Sequence, residues 1–190
     1  MAEQNNDDEF DPVAAEFART PEEEAQARAE VEADLATLRR GEIPKKGLFD
    51  TIHNFGEERF MDALPEIKKY IISTDERLRY IALHVLTYHY QLPDYARVAM
   101  DMMKNDPDKD CRIMAINGLL SLRRGTTDPY ALKALAALVR EENEDEFIRE
   151  RAYTAMRGIV SYDMDEQLRF SVEPFDLARD VDWNFVDSYR

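Results

Sequence analysis

The sequence predicts an all-α fold, and three observations support this class. Ala, Leu, Glu and Arg are abundant, whereas the 190 residues include only six glycines and eight prolines, too few for a turn-rich all-β fold. Apolar residues recur at helical rather than alternating spacing. A pattern of residue types also recurs three times, at intervals typical of two-helix repeats. We therefore expect antiparallel helix pairs that stack into a short α-solenoid.

The recurring pattern spans Asp75–Leu86, Asp108–Leu119 and Asp145–Met156. An acid begins each copy, an apolar residue follows three positions later, and an arginine comes directly after it. An alanine lies three positions beyond the arginine, and a large apolar residue lies four beyond the alanine. Apolar positions at i, i+4 and i+8 form one stripe on a helix, so each copy predicts an amphipathic helix entered from an acidic turn.

The N-terminal region is expected to differ from the repeats. Residues 1–19 are polar and acidic with few apolar side chains, so we expect a disordered tail. Residues 20–46 are predicted to form one helix and a linker. That helix should dock on its neighbour through a narrow stripe of three apolar residues, namely Val31, Leu35 and Leu38.

The start and end of this first helix can be read from single residues. Thr20, Pro21 and Glu23 match a capped helix start, in which side chains satisfy the free amide groups. Gly41 is placed to end the helix after about Arg40.

Residues 47–161 are predicted to form the repeats. The expected helices cover approximately residues 47–55, 57–73, 76–91, 94–105, 109–123, 130–142 and 146–161. Residues 162–190 form an acidic segment with an apolar strap of six residues, namely Phe175, Leu177, Val181, Trp183, Val186 and Tyr189. We expect this segment to cap the last repeat, because an open solenoid end would expose an apolar face.

The net charge of −15 is concentrated near the N-terminus. Residues 1–36 hold twelve acids and two bases, a net charge of −10, whereas the other 154 residues hold 28 acids and 23 bases, a net charge of −5. Such a surface repels nucleic acid and anionic membranes at long range. The chain also has no run of eighteen apolar residues and no secretory signal. We therefore expect a soluble cytoplasmic protein with no nucleic-acid or membrane partner, and its oligomeric state stays open.

No catalytic motif is present in the sequence. The six glycines stand singly and form no phosphate-binding loop. The lone Cys111 takes an apolar place in the second copy, so we expect a small core residue and a reducing compartment. His53, His84 and His89 form no H-E-x-x-H motif, although carboxylates could still join a histidine in space. We therefore expect a protein that is not an enzyme and has no cofactor and no metal ligands.

The pattern D-x-x-Φ-R-x-x-A-x-x-x-Φ, where Φ is apolar, resembles the HEAT repeat. The stretch Ala63-Leu64-Pro65-x-Ile67 before its first copy adds to the resemblance, in particular to the short bacterial type also found in phycobilisome lyase-like proteins. The resemblance implies a right-handed stack whose second helices line a concave side and hold other proteins. It also implies an inter-repeat ladder of three arginines with the three aspartates that begin the copies, namely Arg79, Arg112 and Arg149 with Asp75, Asp108 and Asp145.

The expected concave face is poor in charge for so charged a chain. Removing the core stripe from the aligned second helices leaves a mixture of Tyr, His, Asn and Leu, as on partner-binding surfaces. The predicted partner-binding residues are Tyr80, His84, Tyr88, Ile113, Asn117 and Arg157. The alternative is that Tyr80 and Ile113 extend the core while the polar residues are merely solvated.

Two functional classes remain after these considerations. The first is a protein-binding module, either an adaptor or an inhibitor such as an immunity protein that neutralises a basic toxin. The second, indicated by the repeat subtype alone, is a lyase-like chaperone for a tetrapyrrole-bearing protein. An absorbance shift on adding bilin would favour the second class.

Overall fold

The structure, a computed structural model, describes residues 19–160 and 175–190, and all regular secondary structure within these ranges is helical. The predicted all-α class is confirmed for these residues. The expected disordered tail, residues 1–19, lies outside the described residues except for Arg19.

Ten α-helices occur in the described ranges, and we number them in chain order. They are α1 Pro21–Arg39, α2 Leu48–Glu57, α3 Leu64–Ile67, α4 Glu76–His84, α5 Ala96–Asn105, α6 Lys109–Arg123, α7 Pro129–Arg140, α8 Glu146–Val160, α9 Leu177–Asp180 and α10 Trp183–Asp187. Short 3₁₀ helices span Lys45–Gly47, Met61–Ala63, Lys68–Ile72 and Pro93–Tyr95, and a π turn spans Val85–His89. None of these helices is both long and apolar enough to cross a membrane.

The first helix, α1, begins and ends as predicted. The Thr20 hydroxyl accepts a hydrogen bond from the Glu23 amide at 3.2 Å, and the Glu23 carboxylate accepts one from the Thr20 amide at 2.8 Å. Gly41 follows the helix end with φ of 71°, a conformation that glycine adopts without strain. The three predicted docking residues Val31, Leu35 and Leu38 are buried.

A single helix was expected over residues 57–73, and this expectation is wrong. The chain turns after α2 through Arg59, whose φ is 47°, and a short helical stretch begins only at Met61. The turn directs the Phe60 ring into the core, 6.0 Å from the Phe55 ring. Burying Phe60 therefore outweighs continuing the helix at this point.

The remaining long helices pack around an apolar core. Helix α5 lies against α6 and α7 lies against α8, while α4, α6 and α8 contact one another in succession. Cys111 is buried in this core, as predicted. The alanines of the recurring pattern, Ala82, Ala115 and Ala152, are fully buried as well, so this position is a core position in all three copies.

Arginines at equivalent positions of the three copies lie between neighbouring helices, and we call them the arginine ladder. They are Arg79, Arg112 and Arg149. Arg79 donates to both carboxylate oxygens of Asp106, each at 2.8 Å, and to the carbonyl of Ser73 at 2.9 Å. This bidentate pair is almost completely shielded from solvent.

The other two arginines of the ladder are also held by acceptors. Arg112 forms an ion pair with Glu144 and donates to the carbonyl of Met103 at 3.0 Å. Arg149 donates to the carbonyl of Val139 at 2.9 Å. Each arginine thus ties its helix to the chain segment that precedes it or follows it.

The partners of the arginine ladder differ from those that the resemblance implied. The expected partners were Asp75, Asp108 and Asp145. Each of these aspartates instead accepts hydrogen bonds from amides in the first turn of its own helix, as Asp108 does from Cys111 at 2.9 Å. Arg79 and Arg112 pair with acids that lie one or two residues before a capping aspartate, namely Asp106 and Glu144.

The described part of the C-terminal segment packs on α7 and α8. Leu177, Val181 and Val186 join the core, and the Asp182 amide donates to the Tyr153 hydroxyl at 3.0 Å. Trp183, by contrast, remains 38% exposed. Phe175 and Tyr189 also pack against the core. Five of the six strap residues therefore dock, and whether the strap serves as a cap stays a prediction.

Candidate functional site

A groove lies beside the first turns of α4 and α6, where two of the predicted partner-binding residues meet. It has a volume of about 460 Å³ and is lined by Phe49, Glu76, Arg77, Tyr80, Asp108, Asp110 and Ile113. Tyr80 and Ile113 are partly buried and pack against the core while they line the groove. Their side chains therefore extend the core and also border the groove, and whether they bind a partner stays a prediction.

The groove combines negative charge with an aromatic wall. Glu76 and Asp110 are exposed carboxylates, and Asp108 is held in place by its capping role. Arg77 supplies the one positive charge among the lining residues, and its guanidinium lies 5.2 Å from the Phe49 ring centre. Three carboxylates and one guanidinium leave the groove with a net negative charge, which complements a basic side chain.

All three histidines of the chain lie together next to this groove, and we call them the histidine cluster. They are His53, His84 and His89. The rings of His53 and His84 are parallel with centres 6.3 Å apart, and His89 meets His84 edge-on at 4.9 Å. Tyr88 stacks on His84 at 5.3 Å and is 57% exposed, so the cluster reaches the surface beneath a tyrosine.

The π turn explains how His84 and His89 come together. In a regular α-helix, side chains five residues apart point about 140° apart around the axis. Here the Tyr90 amide donates to the Val85 carbonyl, five residues back, at 2.9 Å. This wider turn brings the two rings to one side, and π turns inside helices often mark functional sites.

Gly56 lets α2 approach the π turn closely. A Cβ atom at this position would lie 2.8 Å from Val85 Cγ2 and 2.9 Å from His89 Cδ2. Side-chain atoms do not approach one another so closely in a packed interior, so a glycine is needed here. As a result the His89 ring packs against the α2 backbone, near His53.

Burial keeps two of the imidazoles neutral. Desolvation is the main cause that lowers the pKa of His84 to about 4, and the neighbouring His89 and His53 lower it further. Desolvation also lowers the pKa of His89, which the Glu57 carboxylate partly opposes. At neutral pH each of these two rings therefore carries one N–H group and one nitrogen lone pair.

Two nitrogens of the histidine cluster are buried without a hydrogen bond. His84 Nδ1 and His89 Nε2 have no hydrogen-bond partner among the described residues. The nearest acid, Glu57, places Oε1 at 3.4 Å from His89 Nε2 and at 3.6 Å from His53 Nε2. A buried polar atom without a partner costs about 1–3 kcal/mol, a cost that calls for an explanation.

The structure separates the predicted partner-binding residues into groups. Tyr80, His84 and Tyr88 form one run of ring contacts, and Ile113 joins Tyr80 at the groove. Two further predicted residues are Asn117 and Arg157. Asn117 is exposed on α6, whereas Arg157 on α8 lies 5.6 Å from the Phe185 ring of the C-terminal segment.

Cys111 carries the one thiol of the chain, and this thiol is unreactive. It is fully buried, and burial is the main cause that raises its pKa to about 12. A protonated thiol of this kind is a poor nucleophile and a poor metal ligand. Cys111 is therefore not a candidate ligand or nucleophile.

Sequence reasoning placed His84 on the partner face but did not bring the three histidines together. Their spacing matches no metal-ligand motif, because five residues separate His84 from His89 and thirty-one separate His53 from His84. The one usable indication was that His84 and His89 occur within one predicted helix, residues 76–91. The chain has no match among protein-family models, curated proteins or solved structures.

Proposed function

We propose that this protein is a non-catalytic binding module that holds a basic protein partner. The observation that carries the proposal is the acidic groove between α4 and α6, with its aromatic and aliphatic wall. Lysine or arginine side chains of a partner would contact Glu76 and Asp110 and stack on Tyr80. This protein would act as an adaptor or an inhibitor, and it would bind the partner through a preformed surface.

We further propose that the helix pairs form a short right-handed α-solenoid of the HEAT type. The successive contacts of α4, α6 and α8 support this arrangement, because second helices of stacked pairs meet in that order. The groove and Tyr88 would then belong to its concave side. A stack of rigid helix pairs loses little backbone entropy on binding, so a few central aromatic residues supply most of the affinity.

Photo-crosslinking of the full chain tests whether the partner binds at the groove and Tyr88. A photoreactive phenylalanine derivative at Tyr80 or Tyr88 should capture the partner, since Tyr80 lines the groove and the exposed Tyr88 stacks on the neighbouring His84. The matched control is the same substitution at Tyr130, an exposed tyrosine that lies on α7 outside the groove. Capture from Tyr130 as efficient as from Tyr80 would contradict a defined binding face.

Affinity measurements with the purified partner then test the groove itself. Tyr80→Ala should weaken binding by roughly 1–3 kcal/mol, mainly through faster dissociation. Asp110→Asn should slow association and reduce its salt dependence, because Asp110 is exposed and takes no part in capping. Glu142→Gln, at an exposed acid between α7 and α8, is the matched control. Unchanged affinity in both groove variants would refute the proposal.

A further inference from the structure

The histidine cluster presents three nitrogen ligands at one point. Its ligand atoms all lie within 4.8 Å of one another. His53 comes from α2, and His84 and His89 come from the two ends of the π turn. Because the chain has three histidines in total, its whole complement converges here. Histidines that lay close together by chance on a surface would not depend on a π turn and a close contact at a glycine.

Two nitrogens of this cluster are buried without a hydrogen bond to any described residue. His84 Nδ1 and His89 Nε2 are shielded from solvent and make no hydrogen bond within the described residues. Polar atoms that serve folding alone are normally paired inside the protein. A metal ion would use the lone pairs that the other side chains leave unused.

Imidazole nitrogens are common ligands of metal ions. A metal ion binds the lone pair of a neutral imidazole ring. The side chain of His89 is only 12% exposed, which shields its lone pair from water. His53, at 40% exposure, offers a route from solvent into the cluster.

One carboxylate completes the set of ligands. Glu57 Oε1 faces both His53 and His89, at 3.6 Å and 3.4 Å from their Nε2 atoms. Three imidazoles and one carboxylate match Zn²⁺, which takes four nitrogen, oxygen or sulfur ligands in a tetrahedron. Ca²⁺ and Mg²⁺ prefer sets of oxygen ligands, which this cluster does not provide.

We propose that His53, His84 and His89 bind one zinc ion, with Glu57 as the fourth ligand. Ligand nitrogens of a tetrahedral zinc site lie about 3.4 Å apart, given metal distances of about 2.0–2.1 Å. The cluster would therefore contract by roughly 1 Å, which rotation of the exposed His53 and Glu57 side chains accommodates.

The bound ion would act as a structural cross-link. With four protein ligands the site is closed, and such sites stabilise folds rather than activate water. Zinc would join α2 to the π turn and fix His84 beneath Tyr88, at the edge of the proposed partner face. This inference goes beyond the proposed function and does not depend on it, because zinc binding is measured without the partner.

The test uses the full chain without a polyhistidine tag, stripped of metal with a chelator. Titration calorimetry with Zn²⁺, in excess Mg²⁺ to occupy the many surface carboxylates, should show one ion per chain. Zinc should also raise the melting temperature, as any ligand of the native state does. Co²⁺ in place of Zn²⁺ should give the visible absorption of a tetrahedral site.

Substitutions assign the ligands. His84→Gln and His89→Gln should each weaken zinc affinity by at least about tenfold, and Glu57→Gln should weaken it less. Glu58→Gln, next along the chain and paired with Arg19 instead, is the matched control and should bind as the parent does. Cys111→Ser should also bind normally, because the buried thiol is not a ligand.

A measurement on the unaltered protein covers the case in which a variant fails to fold. The three histidine ring signals in a proton–nitrogen NMR spectrum should all shift together when one equivalent of Zn²⁺ is added. Ring signals that do not move, or zinc binding that the His84→Gln and His89→Gln variants retain, would overturn the proposal. Absence of stoichiometric binding in excess Mg²⁺ would overturn it as well.

Discussion

The arginine ladder and the histidine cluster are both polar sites between helices, and they differ in how their polar atoms are satisfied. The three guanidinium nitrogens of Arg79 all donate, to Asp106 and to a backbone carbonyl. In the histidine cluster, His84 Nδ1 and His89 Nε2 are shielded from solvent but make no hydrogen bond within the described residues. The nitrogens of Arg79 are thus paired, whereas two nitrogens of the cluster remain available to a ligand.

The backbone shows the same contrast. The arginine ladder belongs to regular α-helices with capped starts at Asp75 and Asp108. The histidine cluster depends on a π turn and on a contact at Gly56 that a methyl group would not fit. Departures from regular geometry have a cost, and they persist where the surrounding packing enforces them, commonly at functional sites.

The largest effect is expected from breaking the arginine ladder. Arg79→Met should lower the free energy of unfolding by about 3–5 kcal/mol, because it leaves the Asp106 carboxylate buried without its partner. Denaturant unfolding measures this change. The matched control is Arg40→Met, whose ion pair with Glu42 is exposed and should be worth less than about 1 kcal/mol. Equal effects in the two variants would show that burial of the pair does not matter.

A smaller effect is expected from a methyl group at the histidine cluster. Gly56→Ala should destabilise the fold by about 1–3 kcal/mol, since the new Cβ would displace Val85 and His89. Gly47→Ala is the control, because its Cβ would meet Ile43 at an ordinary 3.6 Å. Thermal unfolding should separate the two variants, and zinc affinity should fall in Gly56→Ala alone. If Gly56→Ala matched Gly47→Ala, the close contact would not constrain the cluster.

Acid should weaken the arginine ladder progressively. Burial opposes ionisation of Asp106, but hydrogen bonds from Arg79 and the Asp108 amide outweigh it, so the pKa of Asp106 lies below its usual value. A depressed folded-state pKa gives stability that is present above the unfolded pKa of about 4 and is lost as the pH falls through the folded pKa. Unfolding midpoints measured from pH 5 downward should decline accordingly.

A double variant isolates this contribution to the acid dependence. Arg79→Met with Asp106→Leu removes both charges, and an apolar replacement of a buried pair is often tolerated. Its stability should decline less steeply below about pH 4 than that of the parent. A decline of unchanged steepness would assign the acid sensitivity to other carboxylates.

Sequence reasoning succeeded where single side chains determine the local structure. The capped start of α1 at Thr20 and Glu23, and the buried place of Cys111, follow from residue type and spacing alone. The partners of the arginine ladder could not be read in this way. Whether Arg79 pairs with Asp106 or with a capping aspartate depends on where the folded chain places each carboxylate.

The π turn could not be predicted from sequence patterns. Thr87 is fully buried there, where it faces Gly118 of α6. The Tyr90 hydroxyl donates to the carbonyls of Phe55 and Phe60, at 3.1 Å and 2.6 Å. These contacts, made across long sequence separations, fix where the chain must lie and so override the regular helical period.

The smallest effect on stability is expected from the exposed rim of the histidine cluster. Tyr88→Ala should change the free energy of unfolding by no more than about 0.5 kcal/mol, because the side chain is 57% exposed and serves the surface. It should nevertheless weaken partner binding by roughly 1–3 kcal/mol, since an exposed tyrosine beside a groove is a typical source of affinity. Tyr130→Ala, at a more exposed tyrosine outside the groove, should change neither quantity. A large loss of stability in Tyr88→Ala would instead show that this tyrosine stabilises the fold, as Arg79 does. The contrast between the paired arginine ladder and the histidine cluster would then not include the exposed Tyr88.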